Sequence, residues 1–248
     1  MINIHQKNKA LHKVLLFRFF GNFLIFLSIF FVIKTFAGPA TSEIRYFVDN
    51  TILKKSYKLV PTSDAVKNGD KNTNGADDRE PNPSKDSQLA AFFGVKTEAI
   101  IHPVDPTYSI VIPKIAANAR VIKNVSPVDE DQYLESLKYG VAHASGTSSP
   151  GEGGNVFLFA HSTDYIWNVS TYNAVFYLLY KLEIDDEINV FYEGKRYLYL
   201  VSDKKTVSPD EVEHLVNTTP NEQLTLQTCW PPGTTLQRLL VFAKRKAI

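Results

Sequence analysis

Leu224-Thr225-Leu226-Gln227-Thr228-Cys229-Trp230-Pro231-Pro232-Gly233 is the stretch on which the fold turns. Its alternation predicts a strand with Thr225, Gln227 and Cys229 on one face and Leu224, Leu226 and Thr228 on the other. Pro231 and Pro232 cannot donate to a ladder, so the strand must stop just past the thiol. Cys229 therefore sits at a strand end, where a side chain is both held and exposed. If Trp230 to Gln237 connect an antiparallel pair, the midpoint falls between Gly233 and Thr234. Cys229 and Arg238 are then directly opposed on one face, with Cβ atoms about 4.5–5.5 Å apart. An arginine there favours the thiolate and offers donors to an oxyanion. A one-residue slip would destroy the pairing.

Working outward, segments of strand length recur with turn signals between them. They are Ser109 to Ile112, Arg120 to Ile122, Asn155 to Ala160, Glu187 to Tyr192, Arg196 to Val201, Gln223 to Cys229 and Leu236 to Lys244. All are rich in Val, Ile, Phe and Tyr, as half-buried strands are. Glu193-Gly194-Lys195 predicts a hairpin turn. Asp129 to Tyr139 and Val175 to Leu182 read as short helices, the first capped by Asp129 or Ser126. Many short strands with few helices predict a mainly β fold, a closed or nearly closed mixed β-barrel.

The barrel sequence becomes clear only from Tyr108, with the folded part beginning near Leu89. Pro61 to Gln88 has almost no apolar residues and reads as a flexible stalk, because it cannot bury enough surface to offset its ordering entropy. Thr41 to about Lys58 is mixed and is read as a short juxtamembrane helix. Before it, Phe19 to Ile33 is apolar but for Gly21, Asn22 and Ser28. With Val14 to Phe17, Phe36 and Ala37, this stretch approaches the roughly 20 residues that span a bilayer. Lys7, Lys9, His12, Lys13 and Arg18 precede or open it, which places the N-terminus in the cytoplasm and the remainder outside. A cleaved signal peptide and a buried core helix are the competing readings. The expected organisation is a cytoplasmic tail and transmembrane signal-anchor over 1–38, an extracellular juxtamembrane segment and stalk over 39–105, and a catalytic domain over 106–248. A net charge of +1 without a clustered basic excess argues against a nucleic-acid partner.

His161 ends the apolar run Asn155 to Ala160, after the turn Pro150-Gly151-Glu152-Gly153-Gly154. A histidine at a strand exit can reach a thiol on a neighbouring strand and act as base, then as acid to a leaving amine. Each residue has a plainer explanation. A lone cysteine by an apolar strand is usually a small buried hydrophobe, a lone histidine is more often structural, and a strand arginine is usually solvated or ion-paired. His143 is the nearest rival to His161. Export makes an unpaired thiol less ordinary, since it faces an oxidising compartment. Cys229 is the chain's one cysteine, so neither a disulfide nor a multi-cysteine metal site can be built from it.

The ordered set resembles the sortase family of membrane-anchored cysteine transpeptidases, over roughly Tyr108 to Lys244. Ile110-Val111-Ile112-Pro113-Lys114-Ile115 is similar to the family's first barrel strand. Tyr139-Gly140-Val141-Ala142-His143 and Pro150 to Asn155 resemble the approach to the catalytic histidine. Thr225-Leu226-Gln227-Thr228-Cys229 resembles its most specific motif. The resemblance implies a closed mixed eight-stranded barrel with His161, Cys229 and Arg238 as the triad, and Thr228 and Trp230 as candidate oxyanion or substrate support. Two departures stand out: Ala160 where the family usually has glycine, and Asp185-Asp186 where it commonly has Gly-Asp. The Trp230 to Gly233 turn and short spacing to Arg238 look more like the compact classes D to F than class A.

The family mechanism implied is attack of the Cys229 thiolate on the Thr-Gly carbonyl of an LPXTG-like sorting signal, then transfer of the acyl group to an amine. Implied partners are surface proteins bearing a C-terminal sorting signal, an amine acceptor (a peptidoglycan precursor stem peptide or a pilin lysine) and the lipid bilayer. No cofactor or metal is expected, and no acidic cluster matching a calcium site is assigned. The alternatives are an exported cysteine hydrolase and a degenerate, non-catalytic surface-binding module. An L,D-transpeptidase-like crosslinker is a further one, but the Ser-His-Gly-Cys-type motif of that family is absent.

Overall fold

The computed structural model describes residues 4–52, 56–59, 98–162, 174–215 and 221–247. The stalk reading of Pro61 to Gln88 lies outside them. The chain divides into two compact units, Met1–Thr41 and Ser42–Ile248.

In the first unit, helix α1 (Ile4–Phe47) carries the apolar run and continues past it into the second unit. Its segment His12–Lys34 is long and apolar enough to cross a membrane, the one such segment among the described residues. At 1.5 Å per residue its 23 residues span about 34 Å, slightly more than a bilayer's hydrocarbon core. Every side chain in it is exposed, which overturns the buried-core-helix reading.

In the second unit, the helix end gives way to a π turn (Val48–Ile52) and then to β1 (Ser56–Leu59), which pairs in parallel with β2 (Glu98–Ile101). Among its described residues, the segment expected as one short helix is thus a helix end, a turn and a strand. The barrel follows: β3 (Tyr108–Ile112), β4 (Ala117–Val125), β5 (Val141–Ala144), β6 (Asn155–Phe159), β7 (Glu187–Tyr192), β8 (Lys195–Val207), β9 (Gln223–Trp230) and β10 (Gln237–Lys246). It closes in the order β10-β8-β7-β3-β4-β5-β6-β9. The β4–β5 and β6–β9 pairs are parallel and the others antiparallel, so the barrel is mixed.

The pleat explains which residues fill it. Ile110, Ile112, Val156, Leu158, Leu224, Leu226 and Leu240 are fully buried and form the centre of one core. At about 25 cal/mol per Å² of apolar surface, each contributes about 1.5–3 kcal/mol against exposure. Glu193 and Gly194 both take positive φ (51° and 74°), and Tyr192 pairs with Lys195. The hairpin turn is therefore a two-residue one whose twist matches the flanking strands.

Three expectations need correction. Val141–Ala144 is a strand that the sequence did not signal. The helix expected from Asp129 to Tyr139 is α2 (Glu130–Leu137), with the Gln132 amide donating to the Asp129 cap at 3.1 Å. Val175 to Leu182 is not a helix but a turn ending in a single 3-10 turn, Leu179–Lys181. Its apolar side chains are recruited by tertiary packing: Phe176 and Leu179 are fully buried, and that packing overrides local helical preference.

Candidate active site

Three neighbouring strands bring the candidate residues to one rim of the barrel. Arg238 of β10 pairs with Cys229 of β9, the register read from the two prolines. On the other side β6 runs parallel to β9, with Phe157 opposite Thr225 and Phe159 opposite Gln227. Continuing that register by two residues puts His161 level with Cys229. Cys229 and Arg238 thus sit opposite each other on adjacent strands, spaced about 4.8 Å apart, and His161 stands two residues past the end of the third strand.

Two hydrogen bonds carry the register past the end of β6. The Ala160 amide donates to the Gln227 carbonyl at 3.1 Å. The Thr228 hydroxyl donates to the Ala160 carbonyl at 2.9 Å, in a buried setting. Both polar groups of Ala160 are therefore fixed to β9, and His161 leaves the strand in one direction. Thr228 is 3% exposed, on the core-side face with Leu226, so its hydroxyl is committed to Ala160. Trp230, half-buried, lies against Tyr180 with ring centroids 5.3 Å apart.

All three candidate residues line one cleft of about 540 Å³. Its apolar walls come from Phe157 and Phe159 of β6, Tyr133 and Leu134 of α2, and Val212 and Leu215 from the β8–β9 connection. The Tyr133 and Phe159 rings meet edge to face at 6.3 Å. Sequence reasoning did not single out these walls. The spacing Tyr133, Leu134, Leu137 was the available signal, since it puts three apolar side chains on one helical face.

Hydrogen bonding, not charge, separates the two histidines. Burial pushes the His161 imidazole below its ordinary pKa, which favours the neutral ring. Burial does the same, as the largest cause, to His143. His143 is 6% exposed and uses both ring nitrogens: Nε2 lies 3.1 Å from the Ser148 carbonyl and Nδ1 3.0 Å from the Tyr108 hydroxyl. A carbonyl only accepts, so Nε2 carries the proton and Nδ1 accepts from Tyr108. That satisfied, neutral ring explains His143 structurally.

Arg238 is half-buried, and its Nη1 donates to the carbonyls of Thr235 (3.1 Å) and Gln237 (3.2 Å). These bonds hold the guanidinium at the base of the connection between β9 and β10. Cys229 is a free thiol, also half-buried, and lines the same cleft.

For metal binding, the described residues offer one trio, Glu211, Glu213 and His214, with ligand atoms within 4.8 Å of one another. The sequence had indicated no such cluster. Both glutamates are exposed, and Glu211 already lies 3.6 Å from Lys205.

The two departures from the expected motifs have local explanations. Asp185 takes φ 69°, the left-handed region that Asp enters more readily than most residues, so it can stand where glycine is common. Asp186 pairs with Lys114 at 2.8 Å. Ala160 is 5% exposed, its methyl packed in the core.

A closed mixed barrel whose rim presents a histidine, a cysteine and an arginine defines a class of cysteine enzyme. Residues 110–246, more than half of the chain, match the Sortase domain, and the chain belongs to the sortase family, whose members are cysteine transpeptidases. Solved structures similar to it include sortase C1 of GBS pilus island 1 (28% identity, TM-score 0.49, covering 57% of this chain and 64% of that one). Sortase C1 from Streptococcus suis is 26% identical, with TM-score 0.49, over 57% of this chain and 73% of that one. The sortase D5 transpeptidase of Clostridium perfringens is 24% identical, with TM-score 0.47, over 58% and 80%. The chain thus spans less than two thirds of the first of these. No curated protein matches it.

Proposed function

We propose that this chain is a transpeptidase that cleaves an LPXTG-like sorting signal through a thioacyl-enzyme and passes the acyl group to an amine at the cell surface. The observation that carries the reading is the placement of His161, Cys229 and Arg238 along one rim of a sortase barrel, at the foot of an apolar cleft. His161 begins neutral, as its burial favours, and takes the Cys229 proton as sulfur attacks the Thr-Gly carbonyl. Arg238 donates to the oxyanion or holds the substrate. Collapse breaks the C–N bond, and the His161 imidazolium gives its proton to the departing amine. The acceptor amine then reverses these steps, losing its proton to His161 and releasing the Cys229 thiol. In this scheme Thr228 acts by placing His161, and Trp230 by closing the strand end.

The partners proposed are proteins with a C-terminal sorting signal and an amine from a peptidoglycan precursor stem peptide or a pilin lysine. The segment His12–Lys34 is proposed as a retained anchor, with the N-terminus cytoplasmic, residues 39–105 as an extracellular tether and 106–248 as the catalytic domain. Basic residues Lys7, Lys9, Lys13 and Arg18 support that orientation. An anchor and tether confine the enzyme to the plane of a membrane-bound substrate and raise its effective concentration. The short Trp230–Gln237 connection supports a compact class, D to F.

The test is to incubate the protein with a panel of sorting-signal peptides and detect the thioacyl adduct on Cys229 by mass spectrometry. Cys229→Ala should form no adduct and cleave nothing; persistent cleavage would sink the assignment. An amide product that appears only when an amine is added marks a transpeptidase. Free acid in both conditions marks a hydrolase, and no adduct with any peptide marks a binding module.

A further inference from the structure

Within the Ser42–Ile248 unit, the last turns of α1 are tied to the strand end that carries Cys229. Glu43 accepts a short hydrogen bond from the Tyr180 hydroxyl. It also pairs with Lys181 at 3.2 Å, and the Lys181 ammonium stands 5.3 Å from the Tyr46 ring centre. The Tyr180 ring packs on the Trp230 indole at 5.3 Å, planes tilted by 50°. From β8, Lys204 Nζ donates to the backbone carbonyls of Tyr180 (3.1 Å) and Leu182, so the 3-10 turn under Tyr180 is held from below. Tyr180 is thus gripped by its hydroxyl, its ring and its backbone.

Trp230 is the last residue of β9 and directly follows Cys229. By strand alternation its side chain leaves from the face opposite the thiol. The next two residues, Pro231 and Pro232, have no amide proton, so the ladder cannot extend to support this end. Trp230 still pairs with Gln237, and the Thr234 amide and hydroxyl donate to the Pro231 carbonyl (3.0 and 2.8 Å); the packing of Trp230 on Tyr180 adds a side-chain brace to this short-supported strand tip.

We infer that Glu43, in the segment following the apolar span, is a positioning residue for Cys229, acting through Tyr180 and Trp230. The inference rests on reading Cys229 as the nucleophile. A purely architectural role, pinning the helix end to the barrel, is the competing account. The two differ in what they do to the thiol.

The experiment uses the full-length chain in detergent micelles, with Glu43→Ala, Glu43→Gln, Tyr180→Phe and the double Glu43→Ala/Tyr180→Phe. Tyr180→Phe keeps the ring contact and removes the hydroxyl; Glu43→Gln keeps an acceptor and removes the charge. Because the chain has one cysteine, its rate of alkylation by iodoacetamide reports Cys229 alone, without a sorting peptide. A lost hydrogen bond of ordinary net strength predicts about a fivefold fall in kcat for peptide cleavage in Glu43→Ala and in Tyr180→Phe. KM should stay within about twofold, and the alkylation rate should change in both, while Glu43→Gln stays near the parent. The double variant should be no slower than either single, since the two act in series. Parental kcat and alkylation in both singles, with only a lower Tm, would overturn the inference, as would multiplicative loss in the double. Cleavage surviving Cys229→Ala would instead overturn the reading on which it rests.

Discussion

Thr228→Val isolates what a single buried hydroxyl does for the site. The change is close to isosteric, but it removes the 2.9 Å hydrogen bond to the Ala160 carbonyl, and both residues are nearly inaccessible to water. An orphaned buried acceptor costs about 1–3 kcal/mol. In a domain of this size each kcal/mol moves Tm by about 2–4 °C, so a fall of about 5 °C is expected. The Ala160 amide remains bonded to Gln227, so the strand should not detach. Its carbonyl is freed to tilt, however, and His161 follows directly. A misplacement of about 1 Å can cost on the order of 100-fold in rate, so a tenfold fall in kcat requires only a fraction of it. Thr228→Ser, which keeps the donor, should stay within about threefold of the parent. Differential scanning fluorimetry and steady-state cleavage of a sorting peptide measure both effects. Parental kcat and Tm in Thr228→Val would refute the argument that this bond aims His161.

Other outcomes follow from the same geometry. His143 and His161 are both held below the ordinary imidazole pKa by burial, so the folded state resists protonation that the unfolded chain accepts. Their stabilisation is complete above about pH 6.5 and is lost as pH falls below it. Tm should therefore drop between about pH 6.5 and 5; a flat profile there would contradict the burial of both rings. Arg238→Lys keeps the charge but loses the planar fork that bonds the loop while facing the cleft. It should lower kcat/KM by about 100-fold or more with Tm changed by no more than about 2 °C; parental kcat/KM would remove Arg238 from the chemistry. Gly140→Ala would place a methyl 2.3 Å from the Arg120 carbonyl oxygen, a backbone atom of β4. Tm should fall by more than about 8 °C, as the β4–β5 pair must separate to admit it. A variant as stable as the parent would show that this pair yields more easily than its ladder suggests.

The strands that carry Cys229 and Arg238 were legible because their stops are chemical. Two prolines after Cys229 end β9, and the count across the following turn fixes Arg238 opposite it. The Glu193-Gly194 turn was legible from its glycine, which takes positive φ without strain, although Glu193 takes it as well. Where order comes from tertiary partners, the sequence was silent. Val141–Ala144 has only four residues, with a histidine whose polarity is hidden by Tyr108 and Ser148, so no alternation marks it as a strand. Val175 to Leu182 carries apolar residues at helical spacing, yet the burial of Phe176 and Leu179 bends it into turns. The sequence suggested His161 near Cys229, but the parallel β6–β9 register that aligns them involves residues more than 60 positions apart. No local pattern encodes such a pairing.

That parallel pairing bears on how such an enzyme can change. Two strands that run the same way cannot be joined by a tight turn, so the chain must leave the rim after His161 and return far later to reach Cys229. The distance between the two residues is set by strand spacing and owes nothing to the length of that excursion. Lengthening a surface excursion is cheap, about 0.6 kcal/mol per doubling in closure entropy. The β8–β9 connection, which supplies Val212 and Leu215 to the cleft wall, belongs to this tolerant stretch. The cleft walls can therefore diverge by insertion, deletion or exchange of segments while His161 and Cys229 keep their spacing, which makes the barrel a chassis on which new substrate preferences can evolve.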